Sequence, residues 1–466
     1  VRQAKPRIIA NGSFSCATIP TLPLAASPHG ALIQPAVRKR RPRCFSSYCL
    51  MPITPPIAPS AHAAPSRGSI MLPLERRSSF SLAAIFALRM LGLFLVMPVF
   101  ALEAAKLPGG DDVMRVGMAM GMYGLTQGLL QIPFGMASDR FGRKPVMVLG
   151  LLVFAIGSML AAWAPTLNWL VLGRAVQGAG AISAAVTALL ADQTRDAVRT
   201  KAMAMVGASI SLMFALSLVL SPWLNAGIGL EGLFFLTGLL ALCGIAVVIW
   251  WVPPEPPDKV PAGRSGLLQV LRNRALVRLD VGAFVLHAVQ FSMWMALPAM
   301  LVQAGLPKEE HWRMYLPAVL GSFFVMGSTL FPLERRGYFR AVFLASIALI
   351  GLVQLGLMYG AAHALPLSGL AILMFAFFCG FNVLEASQPS MASRLAPAAV
   401  RGAALGVYNT LQSLGFFAGG AIGGWLMRSV GAPGLFTVCG LAMVGWLAFA
   451  WGMPPSPVPG KAALAA

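Results

Sequence analysis

The chain has 466 residues, of which 58% are hydrophobic and only 11% charged, and it carries a net charge of +20. A soluble domain has about 25% charged residues, so a composition this apolar excludes a soluble enzyme or binding module and requires a polytopic membrane protein. The positive balance is not a nucleic-acid signature, because the basic residues gather at the ends of apolar stretches rather than along a polar face.

Residues 1–70 stand apart from the rest. They hold nine Lys or Arg and no Asp or Glu, with many Pro and Ser and no membrane-length apolar run. Three readings fit: a disordered basic extension, an acid-poor organelle transit peptide, or a mis-assigned start with translation beginning at Met71. From there on, windows of roughly twenty apolar residues recur at 80–102, 113–137, 145–164, 168–190, 202–224 and 231–252. They resume at 278–302, 312–332, 339–361, 367–390, 401–426 and 432–452. Between the sixth and seventh lies a polar, Pro-rich linker, 253–275, which opens Pro253-Pro254-Glu255-Pro256-Pro257 and ends in a short amphipathic piece around Leu267–Leu271. The chain therefore divides into a six-helix half at 71–252, the linker, a second six-helix half at 276–455 and a short disordered tail at 456–466. The expected fold is all-α, with twelve transmembrane helices in two six-helix halves.

If the spans alternate, Arg140, Arg143, Lys144, Arg195, Arg199, Arg272 and Arg340 are among the many basic residues on one side. The other side holds only Lys106, Arg115, Lys308, Arg313 and Arg428. The positive-inside rule then places both termini and the linker in the cytoplasm. The six cysteines show no metal or redox spacing, and Cys243, Cys379 and Cys439 lie inside apolar spans, where a small hydrophobe is expected. No disulfide, metal or cofactor is expected.

Between the second and third spans the chain reads Gly135-Met136-Ala137-Ser138-Asp139-Arg140-Phe141-Gly142-Arg143-Lys144-Pro145, with four charges in the six residues from Asp139 to Lys144. Such a knot cannot sit in hydrocarbon and must be a short loop. Inside the spans, ionisable residues are costly and mark function by default. Arg89 lies near the middle of span 1. Arg174, Gln177 and Gly178 share one face of span 4. His287 lies near the midplane of span 7, Asp280 at that span's entrance, and Glu385 in span 10. Arg89 and Arg174 stay cationic, whereas His287 and Glu385 are the groups able to take up and release a proton.

The Gly-x-x-x-Asp-Arg-x-Gly-Arg-Lys order resembles the signature loop between helices 2 and 3 of the major facilitator superfamily of secondary transporters. Arg174-Ala175-Val176-Gln177-Gly178-Ala179-Gly180 resembles that superfamily's fourth-helix motif, whose Arg is associated with proton coupling. Arg89-Met90-Leu91-Gly92-Leu93-Phe94, Leu286-His287 and Phe381-Asn382-Val383-Leu384-Glu385-Ala386 are similar to strings of the YajR-like branch of proton-dependent, drug-efflux-type transporters. The resemblance implies a cytoplasmic latch built from Gly135, Asp139, Arg140, Gly142, Arg143, Lys144 and Asp192. In it, Asp192 engages the basic end of the loop, and Asp139 faces the start of helix 11 near Arg401-Gly402. It further implies proton-coupled export of a small, largely apolar molecule by alternating access. Where the antiporters place Gly-Pro in helix 5, this chain reads Ser221-Pro222-Trp223-Leu224, which keeps a proton-coupled uptake symporter as the alternative.

A membrane-embedded enzyme or a non-transporting sensor are remote alternatives. An enzyme needs a catalytic cluster, and His287 and His363 are far apart in sequence with no HExxH pattern present. No ATP-binding Gly-x-x-x-x-Gly-Lys-Ser/Thr loop occurs either, so an ion gradient is the expected driving force. The expected partners are the lipid bilayer, a small-molecule substrate and protons, with no nucleic acid. The chain is expected to act as a monomer in a bacterial inner membrane.

Overall fold

A computed structural model describes residues 70–255, 265–336, 338–397 and 400–452. Residues 1–69, the centre of the linker and the 456–466 tail lie outside the described residues. Among those described, secondary structure is helical throughout. α1 runs Pro73–Ala104, with Pro at its first turn and the Glu75 carboxylate accepting the Leu72 N–H at 2.7 Å, so one free donor of the helix start is satisfied. α2 spans Val113–Phe141 and is capped by Asp112, whose side chain accepts from the Met114 N–H. α3 is Arg143–Ala162, α4 Leu167–Ala179 and α5 Ser183–Asp192. α6 covers Asp196–Ala246 and continues into a wider-wound turn, Val247–Trp251. A short α7, Ser265–Arg272, precedes α8 (Arg274–Gln303), α9 (Trp312–Arg335), α10 (Phe339–His363), α11 (Leu367–Leu395) and α12 (Arg401–Trp451).

Among the described residues, eight helical segments contain a window apolar enough to cross a membrane, and two of these are 51 and 50 residues long. At ~1.5 Å per residue such a helix is about 75 Å long, more than twice a ~30 Å hydrocarbon core. Each doubles back at one glycine in the left-handed region: Gly229 with φ 65° and ψ −177°, and Gly431 with φ 68° and ψ −176°. A side chain there would meet its own backbone. The two glycines open the same string, Gly-x-x-Gly-Leu-Phe, at Gly229–Phe234 and Gly431–Phe436. Split at these points, and with α2 and α9 included, the described helices are consistent with the twelve expected spans.

Two details depart from the sequence expectation. The fourth span is not one helix over 168–190 but breaks at residues 180–182 between α4 and α5. At the break the Gly180 carbonyl accepts from the Ile182 N–H at 3.0 Å and from the Arg89 guanidinium at 3.3 Å. The fifth–sixth and eleventh–twelfth pairs have no loop between them, because a single glycine makes the reversal.

α1 packs along α6, as α8 does along α12 in the second half, and the halves meet through α2 against α12, α6 against α9 and α1 against α8. The α2–α12 contact is built on glycine. A Cβ at Gly117 would stand 2.2 Å from the Gly420 carbonyl oxygen, and one at Gly124 2.3 Å from that of Ser413. The opposite face of α12 meets α8 the same way, with Gly419 against the Ala288 carbonyl at 2.3 Å. Bulk on any of these would push the backbones apart. The seam can be followed from Gly117 to Gly128, which lies against Leu414 and Thr410. Nearer the start of α12, a Cβ at Gly402 or Gly406 would meet nothing within 4 Å. The face carrying residues 141–143, 192–196, 251–255 and 265–274 is the basic face, and the other is the far face.

Candidate functional site

On the basic face, Gly142 has φ 103°, a conformation that suits glycine, and this turn brings the charges of the loop together. Arg143 is buried. Its guanidinium donates to Ser138 Oγ at 2.7 Å and to Asp192 Oδ2 at 3.2 Å, and pairs with Asp139. One cation therefore ties α2, α3 and the end of α5. The Lys144 N–H donates to Glu255 Oε1 at 2.7 Å and its Nζ to the Val252 carbonyl at 2.6 Å, fastening the start of the linker to the same loop. Arg140 stacks over Phe141 at 5.4 Å, and Gly135 lets α2 approach Ala184. Asp139, expected against the start of span 11, is held within its own half by Arg143.

Deeper in the first half, α2 presents Tyr123, Gln127 and Gln131 at intervals of four, on one helix face. Arg89 of α1 donates to Tyr123 Oη at 2.8 Å, Ser183 Oγ at 3.1 Å, Gln127 Oε1 at 3.3 Å and the Gly180 carbonyl. Arg174 donates to Gln177 Oε1 and to the Met120 carbonyl at 3.3 Å, and Gln177 in turn donates to Ser158 Oγ at 2.9 Å. The Arg174 guanidinium also lies over the Tyr123 ring at 5.0 Å and the Phe100 ring at 5.8 Å. Thus the structure brings Arg89, Arg174 and Gln177 together around Tyr123.

In the second half, His287, Glu385 and Gln412 meet between α8, α11 and α12. His287 Nδ1 is 2.8 Å from the Ala283 carbonyl, which can only accept, so Nδ1 carries a hydrogen. Nε2 lies 3.1 Å from Glu385 Oε2 and 2.8 Å from Gln412 Nε2. The Gln412 amide nitrogen can only donate, so it satisfies the Nε2 lone pair of an imidazole that carries its hydrogen on Nδ1, and it also reaches Glu385 Oε1 at 3.4 Å, bridging the two groups. His287 is 2% exposed and Glu385 19%, so the carboxylate is the member nearer to water. Asp280, expected at the interface, is instead buried, two helical turns from His287 on α8, with Oδ2 unpartnered. Tyr408, also buried with its hydroxyl unpartnered, lies one turn before Gln412 on α12 and in the field of both Glu385 and Asp280.

The far face carries two ion pairs that join the halves. Lys308 Nζ reaches Glu103 Oε1 at 2.5 Å, and Arg428 Nη1 reaches Asp112 Oδ2 at 3.2 Å. Glu103 also accepts from Lys106 at 2.8 Å and Asn225 at 3.1 Å. The Lys308 ammonium is held above its usual range by the hydrogen bond it donates to Glu103. Sequence reasoning missed Glu103, Tyr123 and Gln412. The spacing Tyr123, Gln127, Gln131 was the available signal for Tyr123, while Glu103 and Gln412 acquire meaning only from partners far away in sequence.

The model of the family described as Major Facilitator Superfamily matches residues 82–419. The Escherichia coli inner membrane transport protein YajR is 40% identical over 392 residues, covering 83% of this chain and 85% of that protein. Multidrug resistance protein MdtH of Aeromonas salmonicida is 27% identical over 372 residues, covering 77% and 90%. The crystal structure of the human organic anion transporter MFSD10 superposes with a TM-score of 0.60 at 18% identity, over 81% of this chain and all of that one, a likeness of fold.

Proposed function

We propose that this chain, which belongs to the Major Facilitator Superfamily, exports a small, largely apolar molecule across the membrane by alternating access, in exchange for protons. The observation that carries the reading is the His287–Glu385 contact at 3.1 Å, which sets two groups able to exchange a proton side by side within the spans. When the carboxylate faces water the proton can leave, and when the surroundings close the charge must be neutralised again. The glycine seam and the two far-face ion pairs fit a state closed on the far face. On the positive-inside rule the basic face is cytoplasmic, with both termini there, and the Asp139–Arg143–Asp192 cluster works as the latch on that side. The multidrug-resistance name of one relative supports export. Ser221-Pro222 in the fifth span, where antiporters carry Gly-Pro, is the one observation favouring uptake symport instead.

Reconstitution into proteoliposomes tests the reading. Counterflow of a drug and metabolite library identifies a substrate, and an imposed pH gradient then drives its accumulation. Glu385→Gln should abolish gradient-driven accumulation, more completely than His287→Gln, and leave downhill exchange largely intact. Full accumulation by Glu385→Gln would remove the carboxylate from coupling.

A further inference from the structure

Arg89 and Arg174 place two guanidinium charges inside the first half, 1% and 3% exposed, and no carboxylate among the described residues pairs with either. Every partner is neutral: hydroxyls, amides, carbonyls and aromatic faces. Tyr123 stands between them, its hydroxyl accepting from Arg89 and its ring lying under Arg174. Burying a charge without a counter-ion is costly, and two such charges beside one ring repel each other. The intramembrane acids, Asp280 and Glu385, belong to the other half, and Glu385 is already engaged by His287.

Arg174 also forms one wall of a small cavity. The other walls are carbon: Val96, Met97 and Phe100 of α1, Met120 of α2 and Phe291 of α8. The Arg174 Nε has no hydrogen-bond partner. Because Phe291 comes from the second half and the rest from the first, the cavity straddles the seam. Phe291 packs on Phe416 at 4.4 Å between ring centroids, and Phe416 on His287 at 5.0 Å, so an aromatic pair links the cavity to the proton site.

We infer that the transported molecule is an organic anion, a single carboxylate or sulfonate on an apolar body, with its headgroup against Arg174 and its body against Phe100, Met120 and Phe291. The inference rests on the transport reading above and names the substrate class for it. A lipophilic cation would meet a fixed guanidinium with no carboxylate to offset it, and a neutral molecule would leave the buried charge as it is. An anion is the ligand that neutralises the site.

Three isosteric probes decide it: 2-naphthoate, 2-naphthylmethanol and 2-naphthylmethylammonium, measured by equilibrium dialysis against the full chain in lipid nanodiscs at pH 7.5. Naphthoate should bind at least ~10-fold more tightly than the alcohol, the ammonium should bind most weakly, and Arg174→Gln should bring naphthoate down to the level of the alcohol. Arg174→Lys should keep part of the preference, and the wild-type order alone decides if Arg174→Gln does not fold. Ammonium binding as tight as naphthoate, or an unchanged preference in folded Arg174→Gln, overturns the inference. Charge-selective naphthoate binding without counterflow in proteoliposomes supports the anion site and sinks the transport reading. Gradient-driven movement of the alcohol or the ammonium but not of naphthoate supports transport and sinks the anion class.

Discussion

Removing the Lys308 ammonium should loosen the far face without unfolding either half. The Glu103 carboxylate is 11% exposed and receives three donors. Lys106 and Asn225 come from its own half, and only Lys308 comes from the other. Breaking a fully buried pair costs about 3–5 kcal/mol, because the remaining charge is orphaned, while an exposed pair is worth about 0–1 kcal/mol. Lys308→Gln falls between these limits, since Glu103 keeps two donors, and a loss of about 1–2 kcal/mol is expected. That corresponds to a roughly 5- to 30-fold shift toward a far face that is open. The pair does not titrate near neutrality: the Lys308 pKa is raised, so its contribution is complete below the ordinary lysine value and is lost only as pH rises through the still higher folded one. Spin labels at Trp163→Cys and Gln303→Cys, one on each half, read the far-face separation by pulsed electron resonance in nanodiscs. Lys308→Gln should populate a longer distance, and Lys106→Gln, which breaks a contact within one half, should not. An unchanged distribution in Lys308→Gln, or the same change in both variants, would refute the reasoning.

Gly117→Val should wedge the seam, because its Cβ would lie 2.2 Å from the Gly420 carbonyl. Closure of the far face should be lost in the same spin-label assay, with a drop of about 1–3 kcal/mol in stability. His311 is buried with neither ring nitrogen hydrogen-bonded, and burial pushes its pKa down to about 4. Since the unfolded imidazole titrates near ~6.5, stability is complete above that value and falls as pH drops toward 4, by about 2 kcal/mol at pH 5; thermal melts at pH 7.5 and 5 should show this loss for wild type and not for His311→Leu. Asp192→Asn leaves Arg143 with Asp139 alone and should weaken the hold of α5 on the loop, read as faster labelling of a cysteine placed at Ala191, with labelling unchanged from wild type as the contrary result.

The spans and the loop were legible because their signals are local. A run of apolar residues, or four charges within six positions, needs no partner to be interpreted. Asp139 is harder to read for the opposite reason: whether it faces the start of α12 depends on how far apart the halves stand, which is a property of the conformation rather than of the string. Arg89, Arg174, His287 and Glu385 stood out by their cost in hydrocarbon. That Glu385 lies beside His287, while neither arginine has an acid among the described residues, emerges only when helices roughly a hundred residues apart are set side by side. Asp280 looked like an interface charge because it follows soon after Arg274 and Arg278, yet its position on α8 turns it inward.

The glycine faces of α12 bear on how fast such a machine can run. Ordinary helices interlock ridges with grooves, so sliding one over another requires side chains to leave their rotamers and settle again. Where backbone lies on backbone, as at Gly117–Gly420 and Gly124–Ser413, there are no teeth to disengage. Friction at the hinge of the two halves is low, and the enthalpy of activation for rocking is set by the charged contacts at the rims rather than by repacking of the interior. Turnover should therefore slow only gently on cooling, and more salt at the rims should change its rate more than a few degrees of temperature do.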